Sequence, residues 1–213
     1  MNRNLILAAS TAIYLILWFT PMFRMIVFPI TILCTFLHEF GHAFFAIVSG
    51  GHVHSLCVNM DGSGVTSMSG GSPGLETMGG YIGSALFGNI MIRLSYGKVA
   101  SWTLKLIAIC MFIAAFFWFS NIITTTALFV FALALFFLSR ASISSYILAF
   151  LGVASVIYII QDFNVGPTSD LQAYQSEVGI FPAGVWMYIW LAIVILLTGF
   201  NLLNLQKKTH ENK

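Results

Sequence analysis

The stretch FLHEFGHAFFAIVSGG, residues 36–51, sets two histidines and a glutamate inside an apolar run. An α-helix turns once per 3.6 residues, so His38 and His42 stack on one face, one turn apart. Two imidazoles so placed can hold one metal ion. Glu39, about a quarter turn from His38, can reach a water on that ion. The order H-E-x-x-H supplies two zinc ligands and a general base. Zinc lowers the pKa of a bound water to about 7 and polarises a carbonyl. Glu39 then accepts the proton of the attacking water and hands it to the leaving amine. The competing reading is a set of buried polar residues paired with neighbours. It is disfavoured because each ionisable group in a span costs free energy. Gly41, with no side chain, lets a neighbouring helix or a substrate backbone come close.

Catalytic zinc takes three protein ligands and keeps a fourth position open. His52 and His54 are near in sequence, but an H-x-H pair on a strand is more often a pair of solvent-facing polar residues. Asp162 and Asp170 are the carboxylates on the same side as the histidines by span count. Asp162 ends an apolar segment, where an acid can simply mark the interface. Asp170 follows NVGPTS, a break able to bend the chain toward the membrane. Non-helical backbone persists at that depth only when buried in protein or facing a water-filled cavity, which hydrolysis needs. On the residues alone, both aspartates stay open as the third ligand.

These groups must be positioned by membrane-spanning elements. The 213 residues are 59% hydrophobic and only 8% charged, with 20 Phe. Soluble domains carry about 25% charged residues. The mean hydropathy of +0.92 agrees with a polytopic membrane protein. A net charge of +2, with no basic run beside aromatics in a polar setting, argues against nucleic acid as a partner. Three cysteines without CxxC spacing argue against a disulfide framework, and Cys34 and Cys110 read as small hydrophobes. Residues 5–19 resemble a signal segment, but no small-x-small cleavage site follows, so a retained first span is expected.

A bilayer crossing takes about 20 mostly apolar residues. Seven segments qualify, roughly 4–20, 25–48, 76–96, 102–119, 122–139, 142–161 and 181–203. The expected fold is therefore an all-α polytopic membrane protein with a small β-hairpin after the second helix. Ser120–Asn121 alone separates the fourth and fifth segments, so six spans is the alternative. Arg24, Arg93, Lys98, Lys105, Arg140, Lys207, Lys208 and Lys213 fall on the side reached after odd-numbered spans, with Arg3 on the other. The positive-inside rule makes the basic side cytoplasmic, giving N-terminus out and C-terminus in.

Residues 53–69 read as two strands about an Asp61–Gly62 turn. Its exposed edge could pair with an extended peptide. Cys57 in this hairpin reads as structural. Residues 162–180 form a polar loop containing a short helix with Ser169 as N-cap, and 204–213 form a solvated basic tail. In GGYIGSALFGN, residues 79–89, small residues recur every four positions: Gly79 with Gly83, Gly80 with Ser84, Ser84 with Gly88. Such a face packs closely on a neighbouring helix, expected to be the one bearing His38. Asn89, the strongly polar side chain of that run, is expected in packing or lining the cavity.

A membrane H-E-x-x-H helix, a hairpin and a distant Asn-x-x-Pro…Asp segment resemble the site-2 protease family of intramembrane zinc metallopeptidases. The likeness is to the compact bacterial branch without a PDZ domain. It implies one zinc ion held by His38, His42 and Asp170, with Glu39 as base. It also implies a bacterial cell membrane, and a transmembrane protein as substrate. Asn164 and Pro167 match the late motif, but Ser169-Asp170-Leu171 follows at shorter spacing and lacks a Gly after the Asp. Asp162 remains the alternative ligand. Two other functions compete: a zinc-binding transporter, and a proteolytically inactive scaffold. Transport calls for ionisable residues in several spans, whereas here they cluster in one span and adjacent loops. Nothing in the sequence sets the oligomeric state.

Overall fold

The computed structural model describes residues 3–163 and 168–211. The helices are α1 (Arg3–Phe19), α2 (Arg24–Val48), α3 (Pro73–Leu94), α4 (Gly97–Phe117), α5 (Ile122–Leu138), α6 (Ser144–Asp162), α7 (Ser169–Val178) and α8 (Ala183–Glu211). A hairpin of β1 (His52–Val58) and β2 (Gly64–Ser69) lies between α2 and α3. Among the described residues, α2, α4, α6 and α8 are long and apolar enough to cross a bilayer, while α1 and α5 are shorter apolar helices.

The local signals explain the boundaries. α3 starts with Pro73 in its first turn and Glu76 close behind. Proline loses nothing there, and an acid suits the positive end of a helix. The gap between α4 and α5 is a true turn, because Asn121 caps α5 by accepting from the Thr124 amide at 2.9 Å. α7 has Thr168, not Ser169, at its N-cap, one residue earlier than expected. Gly179 ends it at φ +66°, the left-handed geometry that glycine adopts without strain.

α3 is the hub, packing on α2, α6 and α8. Its glycines set the distances. A Cβ added at Gly41 of α2 would lie 2.3 Å from the Gly79 carbonyl oxygen. One added at Gly152 of α6 would lie 2.9 Å from the Gly88 oxygen. The expected pairing of this small-residue face with the His38 helix is what the structure contains. The apolar core lies on both sides of this hub. One half joins α2, β1, α4, α5 and the start of α6. The other joins α3, the end of α6, α7 and α8. Asn89 is buried in packing and is not among the residues lining the cavity beside His38. Its amide donates to Thr198 Oγ1 at 3.0 Å, and the Asn201 amide donates to the Asn89 backbone oxygen at 2.9 Å and to its Oδ1 at 3.0 Å.

The hairpin folds back along α2. Thr35 Oγ1 donates to the Gly62 carbonyl at 2.7 Å, so the turn reaches toward the middle of that helix. Gly62 has φ +91° in the turn, where Asp61 accepts from the Ser63 amide and hydroxyl. A bulge at His54 shifts the register between Val53 and Ser55.

One expectation about sidedness fails. The span count puts Arg3 and Arg93 on opposite sides. In the structure the Arg3 guanidinium donates to the carbonyls of Ile92 and Arg93, at the end of α3. α1 therefore starts at the basic end of the molecule. It runs along α6 until Trp18 packs edge-on against Tyr158. α2 also runs toward the α3 N-terminus, where Ser49 accepts from the Ser72 amide. α1 and α2 thus share a direction and are joined by residues 20–23, so they do not alternate as the span count expects. The charge rule missed this because it assumes strict alternation.

Candidate metal centre

The site is built on the second half of α2. His38 and His42 point their rings the same way, with centroids 4.8 Å apart and Nε2 atoms 3.1 Å apart. Each ring is fixed from behind. His42 Nδ1–H donates to the Glu76 backbone carbonyl at 2.7 Å. That bond fixes the tautomer and leaves the Nε2 lone pair facing the site. The His38 ring stands edge-on to Tyr81 of α3, with centroids 4.7 Å apart.

Asp170 arrives from α7, in its first turn. Oδ2 lies 2.8 Å from His38 Nε2 and 3.2 Å from His42 Nε2. The three candidate ligand atoms all lie within 4.8 Å of one another. α7 is held in place by fully buried Leu171, by Tyr174 packed edge-on against Trp186 and Trp190, and by the Ala183 amide donating to Gln175 Oε1 at 2.7 Å. Burial pushes the Asp170 carboxyl up, but the two imidazoles beside it outweigh burial and hold it below the usual carboxylate range. An ionised carboxylate between two imidazoles is the donor set that a borderline-soft divalent cation such as zinc takes.

Gly80 completes the cradle. A Cβ there would lie 2.4 Å from the Nε2 atom of each histidine, so a glycine is what leaves that face of the site open. Glu39 is 5% exposed, and Thr66 of β2 holds it by donating to Oε2 at 2.7 Å and to its backbone oxygen at 3.0 Å. Gly64 lies flat against the same carboxylate, since a Cβ there would fall 2.5 Å from Glu39 Oε1. His38, Glu39, Asp170, Gly62, Gly64, Tyr81, Tyr158 and Asp162 are among the walls of one cavity of about 220 Å³.

Of the expected residues, His38, Glu39, His42 and Asp170 come together. Asp162 lines the cavity but accepts a hydrogen bond from the Tyr81 hydroxyl instead of approaching the histidines. Gly41 lies at the α2–α3 contact, and Asn89 lies at the α3–α8 contact. Asn164 and Pro167 fall outside the described residues. His52 and His54 sit on the hairpin, where His54 Nε2 meets Ser69 Oγ at 2.7 Å. Cys57 accepts from the Asn121 amide at 3.2 Å. Sequence reasoning missed Gly80, Tyr81, Gly64 and Thr66. Gly80 and Tyr81 stood in the small-residue run but read as packing. Thr66 carried no signal beyond its place in a strand.

No curated protein and no solved structure matches the chain. The model of one family, described as Peptidase M50B-like, matches residues 6–200. That match spans α1 to the middle of α8 and takes in every residue of the cluster, so the chain belongs to the Peptidase M50B-like family.

Proposed function

We propose that this chain is an intramembrane zinc endopeptidase that hydrolyses peptide bonds of membrane-embedded protein substrates. The observation that carries the reading is the convergence of two imidazoles and one ionised carboxylate from separate helices beside a buried glutamate. His38, His42 and Asp170 would hold the metal. Zinc in such a set supplies Lewis acidity toward a carbonyl and lowers the pKa of water. Glu39 is the general base: its Oε1 edge faces Gly64 and the cavity, while Thr66 fixes Oε2. The proton it takes from water is the one it delivers to the leaving amine.

The cavity suits an extended chain rather than a helix. Helical backbone groups already bond to each other, so a transmembrane substrate must unwind before its peptide bond can react. The β2 edge offers new partners. On β1, the Leu56 amide donates to the Trp118 carbonyl at 2.9 Å, and Val58 is bonded on both backbone groups by the Thr124 hydroxyl. These two residues pair with Thr66 and Gly64. Because Leu56 and Val58 turn their polar groups away from β2, Thr66 and Gly64 turn theirs away from β1. β-Strand addition there would lay a substrate beside Glu39.

The basic end, which holds Arg3, Arg93, Lys105 and Arg140, faces the cytoplasm in this reading. The chain is one integral membrane domain. The test is reconstitution with a transmembrane substrate: Glu39→Ala should keep zinc and abolish cleavage. Cleavage retained by Glu39→Ala would refute the proposal. Zinc flux in proteoliposomes unaffected by that substitution would favour a transporter.

A further inference from the structure

Two grooves open on the membrane-facing surface, and they differ in charge. One, of about 480 Å³, lies between α1 and α6 and is lined by Ile6, Ala9, Ile13, Ile147 and Phe150 among others, with no cation. The other, of about 420 Å³, lies between α4 and α5 and is lined by Trp102, Lys105, Leu106, Ile109, Phe136 and Arg140.

Both cations of the second groove are held by aromatic faces. Lys105 Nζ lies 4.3 Å from the Trp102 ring centroid, and Arg140 Cζ lies 4.7 Å from that of Phe136. Among the described residues, neither has a carboxylate within 4.0 Å. Two cations without an acid, beside apolar walls, call for an anion. Both stand on the half of the α4–α5 pair away from its connecting turn. Lys105 stands 12 residues before the end of α4, about 18 Å along the axis, and Arg140 lies just past the end of α5. Below them the walls are apolar and open to lipid. Leu106, Ile109, Ile113 and Phe116 are all exposed, and their spacing of three and four residues makes one stripe about 15 Å long.

We propose that the α4–α5 groove binds an anionic phospholipid, with its phosphate at Lys105 and Arg140 and an acyl chain along Leu106 and Ile109. One anionic headgroup lowers the charge of the groove from +2 to +1, whereas a zwitterionic headgroup brings its own cation and leaves it at +2. The inference does not depend on the peptidase reading, since no residue of the groove belongs to the metal centre.

The test uses the full chain in detergent, with phosphatidylglycerol, phosphatidylcholine or glycerol phosphate added. Native mass spectrometry counts the bound molecules, and thermal unfolding reads stabilisation. Phosphatidylglycerol should bind at one retained site and raise the Tm, while phosphatidylcholine and glycerol phosphate should do neither. The Lys105→Gln/Arg140→Gln variant should bind phosphatidylglycerol about 30-fold more weakly, the product of two interfacial cations. Leu106→Trp, which fills the groove and leaves both cations, should also lose the retained lipid. A far-UV circular dichroism spectrum and a monodisperse gel-filtration peak equal to wild type verify that the variants fold. Equal phosphatidylglycerol retention in wild type and both variants would overturn the proposal. So would equal retention of phosphatidylcholine, or binding of a protein contaminant at the groove in place of lipid.

Discussion

Gly80→Ala is a one-methyl perturbation aimed at the centre of the site. The added carbon would lie 2.4 Å from His38 Nε2 and 2.4 Å from His42 Nε2, against an ordinary contact of at least 3.4 Å. Each imidazole, or α3 itself, must withdraw by about 1 Å. Neither ring is free to do so, because His42 is pinned by the Glu76 carbonyl and His38 stands against Tyr81. Zinc–nitrogen distances tolerate about ±0.2 Å, so the strain falls on metal binding. Overpacking a close-packed site costs about 1–3 kcal/mol. At 1.4 kcal/mol per tenfold, zinc affinity should drop by about 5- to 150-fold. Competition with a chromophoric chelator in detergent measures this directly. Gly199→Ala is the control, since nothing lies within 4 Å of a Cβ there. A Gly80→Ala protein with wild-type zinc affinity would refute the reasoning that this glycine holds the metal face open.

Three further outcomes follow from contacts outside the ligands. Thr66→Val removes the donor to Glu39 Oε2 and should lower kcat by about ten- to a hundredfold with zinc content unchanged, as a hydrogen bond to a charged group is worth about 1.5–3 kcal/mol. Single-turnover cleavage with parallel metal analysis checks it. Asn201→Leu strips two bonds from buried Asn89 and should destabilise the fold by about 1–3 kcal/mol, read as a lowered Tm at unchanged zinc stoichiometry. Gly41→Ala forces α2 from α3 against the Gly79 carbonyl oxygen and should lower both the Tm and zinc retention.

The part of the site that one helix carries was legible in the sequence. A spacing of four residues becomes one face by helix geometry alone, so His38 and His42 needed no tertiary knowledge. Asp170 is a different case. It sits 128 residues beyond His42, and what brings it home is the docking of α7 through Leu171 and Tyr174. No local pattern distinguishes it from Asp162, whose partner Tyr81 is equally remote. For Asn89 the sequence left packing and cavity lining both open, because its partner, Asn201, lies 112 positions away. The hairpin was found from its turn residues, but its course back along α2, which brings Thr66 to Glu39, is a tertiary fact. The order of apolar segments was readable, but their alternation was not. The direction of α1 shows only in the Arg3 contact with the end of α3, some 90 residues away in sequence.

The most direct measurement is the zinc content of purified wild type, Asp170→Ala and Asp162→Ala. The expectation is one zinc in wild type and in Asp162→Ala, and none retained in Asp170→Ala, because among the described residues only the Asp170 carboxylate stands within 3.2 Å of both imidazoles. Zinc lost from Asp162→Ala and kept by Asp170→Ala would contradict it.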